Sequence, residues 1–274
     1  MRTPIYVCTT LLAVGLAGFA QGTPDHVNVP LSDPSRPALV RASLMNGGIT
    51  VTGYAGKEII VEARAPLEPQ RESKPDAKAM GLHRLDSRSS GLSVDEQDNE
   101  VNIGVRSMNR TVDLNIQVPF HTSLKLRCLN SGDIRVEHVS GEVDAEDLNG
   151  AVRLLDISGA VVAHSLNEGV TVTLDQVTAG KSMSFSTMNG DVDVTMPADT
   201  KARVKLKSEN GEIYSDFDIH AEPNPAGMGV SETRGRNGRF QVKFDKAIYG
   251  SINGGGPEMQ FTTFNGKIYL RKKK

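Results

Sequence analysis

A bend built from asparagine and glycine recurs along this chain, and it limits the possible folds more than any other feature. Most copies have a bulky apolar residue before the asparagine, a glycine shortly after it and then a short apolar stretch, as in residues 148–152, Leu-Asn-Gly-Ala-Val. Asparagine and glycine both tolerate positive φ angles, so each copy predicts a sharp turn of the backbone. The asparagines of these bends are Asn46, Asn130, Asn149, Asn167, Asn189, Asn210 and Asn265.

The segments between the bends alternate apolar and polar residues. Ile134 and Val136 flank Arg135, and the same alternation returns at residues 192–194. A period of two predicts short strands with one buried face, whereas a helix needs apolar residues at steps of three and four. A weaker Ser-Gly bend lies between successive asparagine bends, as at residues 140–141 and 158–159. One repeating unit, from one asparagine bend to the next, has about twenty residues.

Two all-β arrangements fit this repeat. In an antiparallel β-sandwich of hairpins, each Asn-Gly step would close a hairpin, for which it is a strong signal. In a parallel β-solenoid, each unit would be one coil stacked on the previous coil. The alternation of two bend types favours the solenoid, because each type then stacks on its own kind and the asparagines form a ladder. We therefore predict a parallel β-solenoid with about twenty residues per coil, and the sandwich is the alternative.

Two series of segments repeat a strand that ends in proline, a strand containing Leu-Lys-Leu or Val-Lys-Leu, and an asparagine bend. They cover residues 114–119, 124–126 and 130–134 in the first series, and 194–197, 204–206 and 210–213 in the second. This pattern resembles the DUF4097 family of putative adhesins, most clearly over residues 100–215. The resemblance implies an exported β-solenoid domain, and it brings no catalytic residues with it.

The first twenty residues have the composition of a secretory signal peptide. Arg2 precedes an apolar run over residues 5–16, and Gly18 and Ala20 are small residues before a cleavage point. The run is shorter than the ~20 residues of a spanning helix, and no other stretch is apolar enough to cross a membrane. We predict a signal peptide over 1–20, a single solenoid domain over 21–274 without a membrane span, and a location in the periplasm or at the cell surface.

Two segments interrupt the repeat and are predicted to be inserted loops. Residues 66–100 are rich in proline, serine and charge, with a possible short helix over 76–85, and residues 220–240 are rich in proline and glycine. The second segment contains a basic cluster that is a candidate partner-binding site: Arg234, Arg236 and Arg239.

The sequence predicts no catalytic, cofactor-binding or metal-binding residue. The six histidines are not spaced as metal ligands, and Cys128, alone after removal of the signal peptide, falls on the apolar face of a strand. Acidic residues follow several bend glycines, but alanine or lysine replaces them in other units, so a calcium row is disfavoured. These acids are Asp133, Glu142, Asp191 and Glu212.

The predicted function is a non-enzymatic interaction or structural protein, adhesin-like, with an envelope protein or a glycan as partner. Nucleic acid is disfavoured, because 31 basic residues face 33 acidic ones. One alternative is a polysaccharide-acting β-helix enzyme, which would use outward side chains such as Asp144, Arg153 and Asp193. Another is a periplasmic accessory factor of an envelope-stress signalling system. The lysines at 272–274 are expected to protect the edge strand at the end of the stack.

Overall fold

A computed structural model describes residues 25–65, 90–106, 110–223, 230–234, 240–244 and 246–274, and it is all-β within those ranges. The predicted signal peptide and the possible helix over 76–85 lie outside them. The first strands are β1 (Asp25–Pro30), β2 (Leu39–Leu44), β3 (Ile49–Tyr54), β4 (Glu58–Arg64), β5 (Leu92–Gln97), β6 (Glu100–Val105), β7 (Asp113–Pro119), β8 (Ser123–Cys128), β9 (Ile134–Glu137), β10 (Val143–Asp147), β11 (Val152–Ile157) and β12 (Val161–Ser165). The later strands are β13 (Val170–Leu174), β14 (Met183–Thr187), β15 (Val192–Met196), β16 (Ala202–Ser208), β17 (Ile213–Ser215), β18 (His220–Ala221), β19 (Val230–Arg234), β20 (Phe240–Phe244), β21 (Ile248–Ile252), β22 (Glu258–Thr263) and β23 (Ile268–Lys272).

Most of these strands form two large mixed sheets that are largely parallel. Sheet A has the spatial order β1-β4-β7-β3-β9-β11-β13-β15-β23-β17, and sheet B has the order β18-β21-β16-β22-β14-β12-β10-β8-β2-β6-β5. β19 and β20 form a separate two-stranded antiparallel sheet. Antiparallel pairs within sheets A and B occur only at their ends: β1–β4, β4–β7, β5–β6, β16–β21 and β18–β21.

The chain moves from one large sheet to the other at each asparagine bend. The bend after β8 in sheet B leads to β9 in sheet A, and the bend after β10 leads to β11 in the same way. β10 pairs in parallel with β8 on one side and β12 on the other. The asparagine bends therefore do not close hairpins, because the strands that they join lie in different sheets.

The core lies between the inward faces of the two sheets and follows from the alternation in the sequence. In the inner strands of both sheets, Val, Ile and Leu at every second position are buried, and Arg135, between Ile134 and Val136, is exposed. The rings of Phe185 and Phe261 stack with their centroids 5.0 Å apart. Cys128 is buried as predicted, and burial raises the pKa of its thiol to about 12, so the thiol is neutral and unreactive.

The order of the strands in space differs from their order in the sequence at both ends of the stack. We define a rung as a sheet B strand together with the sheet A strand that follows it. The rung β2–β3 lies between β6–β7 and β8–β9, and the rung β22–β23 lies between β14–β15 and β16–β17. The prediction that the lysines after residue 271 protect an edge is therefore wrong, because β23 has a partner on each side.

The two predicted loops are only partly loops. Residues 92–105 form the hairpin β5–β6, in which Asp98 and Asn99 have φ angles of 54° and 66°, so the boundary of the first loop at residue 100 is wrong. These two residues supply the positive φ angles that a two-residue hairpin turn needs. The second segment contains the hairpin β19–β20 outside the two large sheets.

Candidate functional site

The predicted asparagines lie in one row at the bends from sheet B to sheet A. Asn130 Nδ2 donates to Asn46 Oδ1 at 3.1 Å, and Asn167 Nδ2 donates to Asn149 Oδ1 at 2.7 Å. The row continues through Asn189, Asn265 and Asn210, whose amides donate to the preceding asparagine at 3.2, 2.8 and 2.9 Å. Asn265 thus follows Asn189 in space, which the sequence order does not reveal.

The asparagine row has one break, between the second and third members. Asn149 Nδ2 donates to the backbone carbonyl of Leu129 at 2.7 Å instead of to the side chain of Asn130. All these amide groups engage the neighbouring rung of the protein itself. We therefore assign the row to holding the stack together and not to binding a ligand.

The acids that follow the bend glycines are also engaged by the protein. Asp133 Oδ1 accepts a hydrogen bond from the backbone N–H of Ala151 at 2.9 Å, and Asp191 Oδ1 accepts one from that of Lys267 at 2.7 Å. Glu142 pairs with Lys181 and Glu212 with Lys267, at 2.7 and 3.6 Å. Within the described ranges, no group of three acids, histidines or cysteines is placed to hold a metal ion.

The three residues of the enzyme alternative do not converge. Asp144 points outward from sheet B, whereas Arg153 and Asp193 point outward from sheet A on the opposite side of the core. Asp193 forms an ion pair with Arg271 at 2.8 Å, and Arg153 forms one with Asp133. An acid pair for glycoside cleavage would have to lie on one face.

One concave site within the described residues is a groove on the outer face of sheet B, which offers free polar groups. We call it the sheet B groove; its volume is about 570 Å³, and β5, β6, β2, β8 and β10 line it. Its floor contains Ser43 and Gly104, which are neighbours in the β2–β6 pair, and a Cβ atom at Gly104 would have no heavy atom within 4 Å. Because these two residues are small, the groove is open above them, and the larger side chains around them form its walls.

The walls of the sheet B groove carry both charges. Arg41 is held by Glu100 at 2.6 Å, and Arg127 is held by Glu146 at 3.2 Å. Lys125 and Arg106 have no ion-pair partner among the described residues.

The acids of the groove are also partly free. The carboxylate of Asp144 has no hydrogen-bond partner in the described part of the chain, while that of Asp95 accepts a hydrogen bond from Asn102 at 3.1 Å. The groove can therefore donate hydrogen bonds from two free cations and accept them at a free carboxylate.

Sequence reasoning found Asp144 but missed the rest of the sheet B groove. The outward positions of β2, β6 and β8 could be recognised from the alternation, as with Lys125 and Arg127 around Leu126. The sequence could not show that these positions lie together, because β2 is far from β8 in the chain and becomes its neighbour only when the rung β2–β3 inserts into the stack.

The basic cluster proposed as a partner site is not placed by the structure. Arg234 is the last residue of β19, and Arg236 and Arg239 lie outside the described residues. The cluster therefore stays a prediction, without a position relative to the sheet B groove.

No family model matches the chain, and no curated protein matches it, so membership of DUF4097 stays a prediction. Solved structures similar to this chain include the following two. A "putative cell adhesion protein" from Clostridium sporogenes has 15% identity and a TM-score of 0.49, with 92% of this chain and 100% of that chain covered. A "putative adhesin" from Bacteroides fragilis has 9% identity and a TM-score of 0.26, with 92% and 97% covered. These values are too low to transfer a function.

Proposed function

We propose that this chain is an exported, non-enzymatic, adhesin-like protein that binds a saccharide carrying carboxylate groups in the sheet B groove. The observation that carries the proposal is the presence of Lys125, Arg106 and Asp144 around a floor of small residues. Free cations attract carboxylates, and a free carboxylate accepts hydrogen bonds from sugar hydroxyls.

The architecture that we propose for this function is a parallel β-solenoid. The parallel pairs in both sheets, the passage between sheets at each asparagine bend and the asparagine row all support it. A stack of rungs with hydrogen bonds between side chains at its corners is a rigid support, and a rigid site loses little entropy when it binds a ligand.

The charge arrangement supports binding without turnover. Asp95 and Asp144 are the two acids that line the sheet B groove. Three strands separate β5 from β10, so the two acids are four strand spacings apart, about 19 Å along the sheet. Glycosidase carboxylates lie roughly 5 to 10 Å apart.

Export is part of the proposal and rests on the composition of residues 1–20. No helix within the described residues is long and apolar enough to cross a membrane.

Calorimetric titration with neutral and uronic-acid oligosaccharides tests the binding proposal. We expect binding of the acidic oligosaccharides and about tenfold weaker binding after Lys125→Glu, because a cation that faces the ligand becomes an anion. Lys57→Glu is the matched control, since Lys57 is an exposed lysine outside the groove. Equal weakening by both variants, no binding of any saccharide, or cleavage of the ligand during titration would overturn the proposal.

A further inference from the structure

Large apolar side chains occupy one exposed corner of the stack. Each precedes an asparagine of the row, and five of them expose 39 to 48% of their surface, while Leu166 is half-buried. We call this set the apolar ridge; in spatial order it consists of Met45, Leu129, Leu148, Leu166, Met188 and Phe264.

Backbone hydrogen bonds between rungs hold the apolar ridge in line. The carbonyls of Met45, Leu166 and Met188 accept hydrogen bonds from the amides of Asn130, Asn189 and Asn265 at 2.9, 2.9 and 2.8 Å. Each ridge residue therefore lies directly beside the bend of the next rung. Six rungs give five strand spacings, so the ridge is about 24 Å long.

The bend itself does not require an apolar residue at this position. Glu209 occupies the position in the rung β16–β17, and Asn210 still donates to Asn265 Oδ1 at 2.9 Å. The Glu209 backbone N–H donates to the Thr263 carbonyl at 3.2 Å, as the bend requires. Since a charged residue serves the bend, we infer that the five exposed apolar residues serve something outside the fold.

The shape of the apolar ridge favours a lipid surface over a second protein. A single line of six side chains at about 40% exposure offers roughly 400 to 500 Å² of apolar surface, which is the size of the largest patch on a typical monomer, and such patches are often functional. A stable protein interface needs about 800 Å² from each partner. A convex line falls short of that area, but it can enter the boundary between headgroups and acyl chains along its whole length.

The charges beside the apolar ridge indicate which lipid surface fits. Acids follow the bends on the sheet A side, with one lysine among them: Asp133, Glu168, Asp191, Glu212 and Lys267. Asp133 pairs with Arg153 and Glu212 with Lys267, but the four acids still outnumber these two cations, so anionic headgroups would repel this flank. It complements the outward ammonium groups of zwitterionic headgroups.

We propose that the apolar ridge docks this protein on a lipid surface of low net charge, with its six side chains inserted at the headgroup boundary. The proposal is independent of the saccharide-binding proposal, because the ridge lies at a corner of the stack and the sheet B groove lies on a face.

Co-sedimentation with phosphatidylcholine and phosphatidylethanolamine vesicles tests this proposal. We expect the unaltered chain to partition into them and a triple variant, Leu129→Gln, Leu148→Gln and Met188→Gln, to partition at least about tenfold less, because apolar area is lost. We also expect weaker partition of the unaltered chain into vesicles that contain phosphatidylglycerol, and recovery of binding there at high salt.

The matched control changes three exposed apolar residues outside the ridge: Val27→Thr, Val162→Thr and Ile248→Thr. We expect this variant to partition like the unaltered chain, and circular dichroism of all variants checks that the fold is kept. Absence of partition by the unaltered chain, or equal partition of the triple variant, would overturn the proposal. A loss of dimer mass in analytical ultracentrifugation without any change in vesicle binding would instead identify the ridge as a contact between two copies.

Discussion

Asp147, at the inner side of a bend, is a carboxylate where several other rungs have a hydroxyl. Ser165, Thr187 and Thr263 are the last residues of their sheet B strands. Their hydroxyls donate to a backbone carbonyl of the preceding rung, at 2.9, 2.6 and 2.9 Å. Asp147 has the same position in β10, is fully buried, and its Oδ2 has no hydrogen-bond partner. Burial is the main cause that raises the pKa of Asp147.

We expect Asp147→Thr to increase the free energy of unfolding at neutral pH by about 1 to 2 kcal/mol, because a buried carboxylate without a full set of partners is replaced by a hydroxyl that can donate. Urea denaturation measures the change. The folded pKa of Asp147 lies above its usual value of 3.8, so its contribution to stability is fully present below pH 3.8 and is lost as the pH rises through the folded pKa.

The advantage of Asp147→Thr should therefore be smallest in acid and grow toward neutral pH. Asp144→Thr, on the outer face of the same strand, is the control and should change stability little. A lower free energy of unfolding for Asp147→Thr at neutral pH would contradict this prediction, because it would mean that the buried carboxylate stabilises the fold.

At the scale of strands and bends, the sequence predicted the local units well and their order poorly. Alternation and the asparagine bends correctly predicted short strands with one buried face, because both depend on residues close together in the chain. The insertion of β22–β23 beside β14–β15 depends on contacts between residues far apart. The bends at Asn189, Asn210 and Asn265 share the Asn-Gly step and an apolar residue three positions after the asparagine, and these shared residues do not specify which bends become neighbours.

The candidate site was less predictable than the fold for the same reason. Lys125 was recognisable as an outward residue of a strand. Its grouping with Arg41 and Gly104 depends on the insertion of β2 between β6 and β8. The break in the repeat over residues 66–100 concealed that β5 and β6 complete the sheet.

The inserted rung β22–β23 is expected to control the stability of the rung at that end. β17 pairs with β23 alone, and β16 reaches the rest of sheet B through β22. Phe261→Ala removes a fully buried ring that stacks on Phe185, and should cost about 3 to 5 kcal/mol in urea denaturation.

Hydrogen exchange should then show lower protection of β16 and β17 together with β22. Phe264→Ala is the control, because Phe264 is 48% exposed and its removal leaves no cavity. Retained protection of β16 and β17 in Phe261→Ala would contradict their dependence on the inserted rung.

For the molecule as a whole, the two sheets are tied together at the N-terminal end by acidic side chains. Asp25 Oδ2 in β1 accepts hydrogen bonds from the Ser90 hydroxyl and backbone N–H at 2.6 and 2.8 Å, next to the start of β5. Glu96 in β5 accepts two from Ser32, which follows β1, at 3.1 and 3.0 Å. These hydrogen bonds lower the pKa of both carboxyl groups.

Acid should therefore loosen this end first. Because the folded pKa of Asp25 is lowered, its contribution is present above its usual value of 3.8 and is lost as the pH falls through the folded pKa. We expect hydrogen exchange, corrected for its intrinsic pH dependence, to show β1 and β5 losing protection in that range. Asp25→Ala should show the same loss already at neutral pH, whereas Asp144→Ala should not. Equal protection of these strands in Asp25→Ala would refute the role of this contact.

The placement of β22–β23 also has a consequence for the order of events during synthesis. Residues 258–272 leave the ribosome after both of the rungs that flank them, yet they fill the slot between those two rungs. An incomplete or truncated chain would keep that slot open, with unpaired backbone groups on both of its sides. The stack therefore closes only after residues 258–272 have been synthesised.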